Sequence, residues 1–214
     1  MLRDNAPTAP VVFETPDGVI REGGQGPEGT RLRFLQVSAS LPVRWCSASL
    51  KVDVADCALR GQDRFLNRRT LVVTGERAEE SSARARYAAF EPHRTDTRSG
   101  SRRRRHVDHF RPGHAWSEAE VWDNLRRWRV MPAYPYQAGF SRLSCAFCIF
   151  GNAEQFATLK WMDANRFAKL ARYEKDFGCT IKRDKGLEQL SSEGTVYQEA
   201  RSLPACQTVS CRRF

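Results

Sequence analysis

No apolar stretch in the chain approaches the ~18 residues that a membrane-crossing helix needs, which excludes a single spanning helix. The opening residues, MLRDNAPTAPVVFETPDG, lack the apolar segment of a secretory signal. The two absences make a cytoplasmic protein with no membrane partner the expectation, in a compartment where thiols stay reduced. The seven cysteines, an odd number, are then expected to be free, metal-bound or cluster-bound rather than disulfide-paired. A second Cys-x-x-Cys is missing, and no His-x(3–5)-His follows the single pair Cys145/Cys148, which counts against a simple zinc ribbon or finger. Negative charge is scarce: 25 Asp and Glu face 35 Lys and Arg, a net charge of +10. That balance favours an anionic partner, whether nucleic acid, nucleotide, phosphate or sulfate ester.

The 214 residues suit one domain, or one and a fraction. The 41% apolar content is enough for a core, with long polar loops around it. Residues 1–43 read as an extended, loop-rich arm, with GGQGPEG inside it and strand candidates at Val11–Phe13 and Leu32–Val37. Leu50, Val54, Cys57 and Ala58 fall at helical spacing and predict a helix beginning just after Cys46. RTLVVTG, residues 69–75, is the clearest strand, and its run Leu71–Val73 predicts burial on both faces. AEESSARARYAAF then has helix-forming composition. A polar, basic connection follows at 92–114, with HVDHF as a short strand. Ser117 and Glu120 predict a capping box, ahead of the stripe Val121, Trp122, Leu125 and Trp128. Residues 153–177 predict one or two amphipathic helices with a restart at Asp163, and beyond Gly178 the pattern fades. The organisation expected is an arm (1–43), an α/β core (44–151), a helical segment (152–190) and a tail (191–214).

Four stretches carry chemistry, each with a plain structural reading beside it. In GERAEES, Gly75 lets the backbone turn off the strand, and Arg77 offers a planar donor fork suited to phosphate or sulfate. Glu80 and Ser81 open the next segment, and Arg84 lies one turn on. The plain reading is a solvated turn with internal ion pairs. In RWCSASLK, Cys46 and Lys51 at a helix start suit a low-pKa thiolate beside an ammonium, or else a half-buried cysteine in a packed turn. Cys145 and Cys148 follow a Pro/Gly loop rather than a strand, which counts against a thioredoxin-type redox pair. An iron–sulfur cluster needs about four thiolates from anywhere in the fold; Cys46, Cys145 and Cys148 make three, with Cys57, Cys179, Cys206 or Cys211 as the fourth. Arg102–Arg105, with Arg98 and Arg111, either neutralise nucleic-acid phosphates or form a solvated loop.

Taken in order, RWCSASLK, VVTGERAEESSARAR, WSEAEVW and YPYQAGFSRLSCAFC resemble the later part of phosphoadenosine phosphosulfate reductase family proteins, within the adenine nucleotide α-hydrolase-like superfamily. The resemblance runs from about Arg44 to about Phe150. It implies an α/β sandwich around a mostly parallel sheet, here partial and followed by C-terminal helices. It also implies an adenylylated sulfate or ATP as substrate, in sulfur reduction or sulfur transfer. Gly75, Arg77, Glu80 and Ser81 would line the pocket with Arg84 beside them, Arg142 would face the anion, and Lys51 would assist. Cys46, Cys145 and Cys148 would hold a 4Fe-4S cluster, with zinc as the alternative metal. No catalytic residue is assigned. Sulfur-transfer subunits of DNA phosphorothioation systems share the arrangement, and a non-catalytic nucleic-acid protein using the 98–111 loop is the alternative function. The chain departs from the family in two places. The phosphate loop Ser-Gly-Gly-x-Asp-Ser is absent, since neither REGGQGPEG nor RSGSR carries its serines and aspartate. Trp45, not cysteine, precedes Cys46. The missing loop leads to the expectation either of a second polypeptide that supplies it or of a truncated relative, in both cases inactive alone, and of an unpaired sheet edge.

Overall fold

The structure, a computed structural model, describes residues 11–22, 33–35, 37–38, 45–100, 102–143 and 145–203. The fold class is the expected mixed α/β, with a small sheet and C-terminal helices. The chain divides into two compact units, a sheet unit of residues 10–23 and 52–131 and a helical unit of the remainder.

The sheet unit opens with an antiparallel hairpin, β1 Val11–Thr15 and β2 Gly18–Glu22. Its turn is Thr-Pro-Asp-Gly. Asp17 N–H donates to Thr15 Oγ1 at 3.2 Å, and Gly18 takes φ 122°, where a side chain would be strained. This part of the expected loop-rich arm is therefore regular structure, whereas Leu32 lies outside the described residues and Arg33–Leu35 form no strand. The predicted helix near Cys46 comes in three pieces: α1 Trp45–Ser47, a π-helical turn Ala48–Val52 and α2 Asp53–Gly61. The unit boundary falls between Lys51 and Val52.

β3 Arg69–Val73, β4 Phe90–Pro92 and β5 His106–Phe110 form a three-stranded sheet in the order β3-β5-β4. β3 runs parallel to β5, and β4 runs antiparallel to it. The expectation that β3 is buried on both faces is overturned. Among the described strands it has one neighbour, and Leu71 and Val73 are 54% and 58% exposed. Register places Val73, Phe110 and Phe90 in one exposed apolar row, beside a row on the same face in which Asp108 is buried and paired with Arg98. The segment after β3 is no helix either, only two 3-10 turns at Ala78–Glu80 and Arg84–Arg86. The reason is local: Glu80 Oε2 accepts Arg77 N–H at 3.3 Å and Ser81 Oγ accepts Arg84 N–H at 3.2 Å, offering the backbone partners outside a helical ladder. α3 Glu118–Arg127 follows, and Ser117 and Glu120 form the predicted capping box. The buried apolar residues of this unit are Leu59 and Val107 among those described; buried polar ones outnumber them, including Asp56, His93, Thr95, Arg105, Asp108, His109 and Arg111.

The helical unit holds the apolar cores. α4 Tyr134–Gln137, α5 Ala153–Met162, α6 Ala164–Phe177, α7 Leu187–Glu193 and α8 Gln198–Ser202 carry it. Asn152 and Gln155 cap α5 reciprocally, and Asp163 restarts α6 as read from the sequence. Ile149, Phe156, Phe167, Ile181, Leu187 and Leu190 form one cluster; Ala138, Phe140, Leu159 and Ala200 form another. α7 and α8 occupy the stretch where the periodicity faded. Their placement needs Gly194, where an added Cβ would stand 2.2 Å from the Ala153 carbonyl carbon.

Candidate functional site

β3 and β5 end on the same side because they are parallel, and Thr74–Arg77 continues from that end, the usual place for a ligand in an α/β sheet. Gly75 turns the chain there and has open space around it. The Arg77 side chain is 15% exposed. It donates to Glu79 Oε2 at 2.7 Å and to the Trp116 carbonyl at 3.3 Å. Glu79 Oε2 also accepts the Glu118 N–H at the start of α3, at 2.6 Å. Arg77 first, and then this N–H, hold the Glu79 carboxyl below its ordinary range. Glu79 thus places a carboxylate where a guanidinium and a helix N-terminus favour negative charge. Arg84 pairs with Glu80 at 2.5 Å. Gly75, Arg77, Glu80, Ser81 and Arg84 are brought together, with Arg77 and Arg84 both engaged by carboxylates.

Behind this loop lies a ring of hydrogen bonds that sequence reasoning did not find. Arg111 donates from Nη2 to His109 Nδ1 at 3.0 Å, which leaves the imidazole proton on Nε2. His109 Nε2 faces Thr74 Oγ1 at 2.8 Å, and Thr74 donates to Glu76 Oε2 at 3.1 Å. Arg111 Nε closes the ring on Glu76 at 2.7 Å. Burial works against ionisation of Glu76, but the hydrogen bond and charge of Arg111, with Thr74, outweigh it and lower its pKa. Arg111 also bonds Glu91 and the Ala88 carbonyl and lies over the Tyr87 ring at 4.8 Å. His93, in edge contact with His109, accepts from Thr95 N–H on Nδ1. The one signal for this ring was HVDHFR itself, where alternate residues of a strand share a face: His109 and Arg111.

In the helical unit, Cys145 and Cys148 sit in the loop between α4 and α5. Phe147, between them, packs on Phe156 and Phe167 with ring centroids 6.3 and 6.1 Å away, which pins the loop to the core. Burial raises the Cys145 thiol pKa, as do the neighbouring Cys148 and Cys46, while Lys51 opposes them. The charges of Cys148, Cys46 and Lys51 thus reach the Cys145 thiol. Among the described residues no three His, Cys, Asp or Glu side chains gather as metal ligands would. Arg142 lies over the Phe150 ring at 5.2 Å. Lys182, which the sequence did not single out, donates to the Ile149 carbonyl; burial lowers its pKa, and Cys148 acts against that shift. Of the candidate fourth thiols, Cys179 belongs to the helical unit and Cys57 to the sheet unit, and Cys206 and Cys211 lie outside the described residues.

The basic run at 98–111 is engaged mostly within the protein. Arg98 bonds Asp96 and Asp108, Arg103 bonds Asp63 at 2.7 Å, and Arg104 bonds the Gly100 carbonyl. Arg105 is buried, bonded to the carbonyls of Arg60 and Arg103, with no partner for its Nε. Arg102 is exposed. No described helix is long and apolar enough to cross a membrane.

Neither a curated protein nor a solved structure matches the chain. A family model does: the phosphoadenosine phosphosulfate reductase domain matches residues 33–150, just over half the chain. That span contains the Cys46–Lys51 turn, the Gly75–Arg84 loop, the ring around Arg111, Arg142 and the Cys145/Cys148 pair, and the chain belongs to the phosphoadenosine phosphosulfate reductase domain family.

Proposed function

We propose that this protein handles an adenylylated sulfate or ATP, in sulfur reduction or sulfur transfer, together with a second polypeptide that supplies the phosphate-holding loop. The observation that carries this reading is the family match over 33–150, which includes every residue expected to meet the substrate. Arg77 and Arg142 bind the anionic group, Glu80 and Ser81 shape the pocket, and Lys51 assists. The Glu79 carboxylate supports the role of Arg77, because it occupies an anion-favouring position that a sulfate or phosphate would take over. The edge position of β3 among the described strands, with Leu71 and Val73 exposed, supports the second polypeptide, since an added strand would satisfy the edge and set its own side chains beside Leu71 and Val73. Cys46, Cys145 and Cys148 are the proposed ligands of a 4Fe-4S cluster, with zinc as the alternative. The family match supports this, because its span includes all three thiols, and a fourth ligand must join them.

Two measurements test the reading. Anaerobic purification with iron and sulfide analysis should give a coloured, iron-bearing protein. A colourless protein that stays iron-free after reconstitution removes the cluster, and bound zinc in its place selects the alternative. Calorimetric titration with adenosine phosphosulfate and with ATP should show binding that Arg77→Ala abolishes, with the phosphate-loop partner present. Binding indifferent to Arg77 rejects the substrate site.

A further inference from the structure

The C-terminal end of α3 carries a surface that neither the ring at Arg111 nor the cysteine loop uses. The helix closes in a tight reversal: Val130 N–H donates to the Leu125 carbonyl at 2.9 Å and Arg129 N–H to the Arg126 carbonyl at 3.1 Å. This is a Schellman turn, which needs a left-handed residue and usually takes glycine. Here Arg129 holds that conformation, at φ 52°. Glycine is the residue that fits this backbone best, and the arginine instead sets a guanidinium at the reversal. The reversal also turns out an apolar tip, with Trp128, Val130 and Met131 at 69%, 52% and 78% exposure. The Arg127 guanidinium lies on the Trp128 ring at 5.6 Å, and Arg126 pairs with Asp123. An exposed indole thus stands among three arginines in a chain of net charge +10.

We propose that this tip binds single-stranded nucleic acid, with a base stacked on Trp128 and phosphates against Arg127 and Arg129. A single strand suits it because an indole face needs an unstacked base, which a duplex does not offer, and because the neighbouring guanidiniums match the charge of the backbone. An anionic membrane suits it less. α3 is ten residues long, its apolar Val121, Trp122 and Leu125 are half-buried, and Glu118, Glu120 and Asp123 line the rest, so it lacks the long apolar face that an interfacial helix lays into a bilayer. The basic loop at 98–111 does not compete well for the same ligand, because its cations are largely bonded within the protein. The inference stands apart from the sulfur-nucleotide reading and does not depend on it.

The test is fluorescence anisotropy of a labelled twelve-residue oligothymidylate and a matching duplex, titrated with the full chain at several salt concentrations. Single strands should bind in preference to duplex. Trp128→Ala should weaken binding about 5- to 160-fold, the range for loss of one stacked base. Arg129→Gly should weaken binding and reduce the salt slope by about 0.7, without lowering the melting temperature, which separates lost contact from lost folding. The pair Arg102→Ala and Arg104→Ala should leave affinity unchanged. The proposal is overturned if Trp128→Ala and Arg129→Gly both bind as the parent does, or if the 102/104 pair removes binding. It is equally overturned if vesicles of anionic phospholipid bind through Trp128 while the oligonucleotide does not.

Discussion

Lowering the pH from 7 to 5.5 should destabilise this protein through His93 and His109, before its carboxylates titrate. Both imidazoles are buried. Burial is the main cause holding each below the ordinary histidine range, followed by Arg94 for His93 and Arg111 for His109. For His109 the geometry shows why. Nδ1 is occupied as an acceptor from Arg111, so an added proton would set an imidazolium against a guanidinium at 3.0 Å. A depressed folded pKa means that the unfolded chain takes up protons near pH 6.5 while the folded chain does not. Stability is therefore whole above about pH 6.5 and lost as the pH falls below it. Each histidine removes at most about 1.4 kcal/mol per pH unit, so the pair removes up to roughly 3 kcal/mol by pH 5.5, out of a typical 5–15 kcal/mol. Glu76, Asp96 and Asp108, with lowered pKa values, add a second loss only as the pH falls below their ordinary 4.5 and 3.8. Urea denaturation at a series of pH values measures the effect, and proton NMR of the four histidine rings assigns it. Stability that stays flat between pH 7 and 5.5, or both rings titrating at 6.5 or above, would refute the reasoning.

Removing Arg111 should be more damaging than acid. Arg111→Met leaves Glu76 and Glu91 without their buried partner, and a loss of about 3–5 kcal/mol is expected; an unfolding free energy from urea within about 1 kcal/mol of the parent's (on the order of experimental scatter) would show that the ring does not hold the sheet. Arg111→Lys should recover only part of that loss, because an ammonium cannot make the forked contacts. Glu79→Gln should tighten sulfate and phosphosulfate binding by releasing Arg77, and a calorimetric affinity equal to or below the parent's counts against Glu79 as an anion surrogate. Gly194→Ala should destabilise the helical unit by about 1–3 kcal/mol or more, since its Cβ meets the Ala153 backbone; an unshifted thermal melt would contradict that packing. Asn152→Ala should cost about 1 kcal/mol as a lost cap, read in the same melt.

Features whose cause is local were legible in the sequence. Ser117 and Glu120 cap α3, and Asp163 restarts α6, because each needs only a side chain and a backbone N–H a few residues away. β3 was legible as a strand but not as an edge, since Leu-Val-Val reads alike whether or not a neighbour covers it. The 78–90 segment misled because its composition is helical while its individual side chains bond the backbone in other ways. The cysteine and arginine motifs stand out in the sequence, whereas Glu79, the Arg111 ring and Lys182 do not. Their significance comes from contacts across 35 to 39 residues of chain, or 33 for Lys182, and no spacing rule reports those.

The contrast between a sheet unit filled with charge and a helical unit filled with phenylalanine, leucine and isoleucine sets how each answers its solvent. Heat capacity of unfolding comes from apolar surface, so the sheet unit should have a shallow stability curve and the helical unit a steeply domed one that weakens in the cold. Guanidinium chloride is a salt as well as a denaturant, and it screens ion pairs that urea leaves alone. The network of Arg111, Glu76 and Glu91 should therefore yield to guanidinium well before the usual twofold ratio to urea foretells, while the cluster around Phe156 and Phe167 keeps that ratio. One polypeptide thus joins two materials, and a change of ionic strength or temperature acts on them unequally.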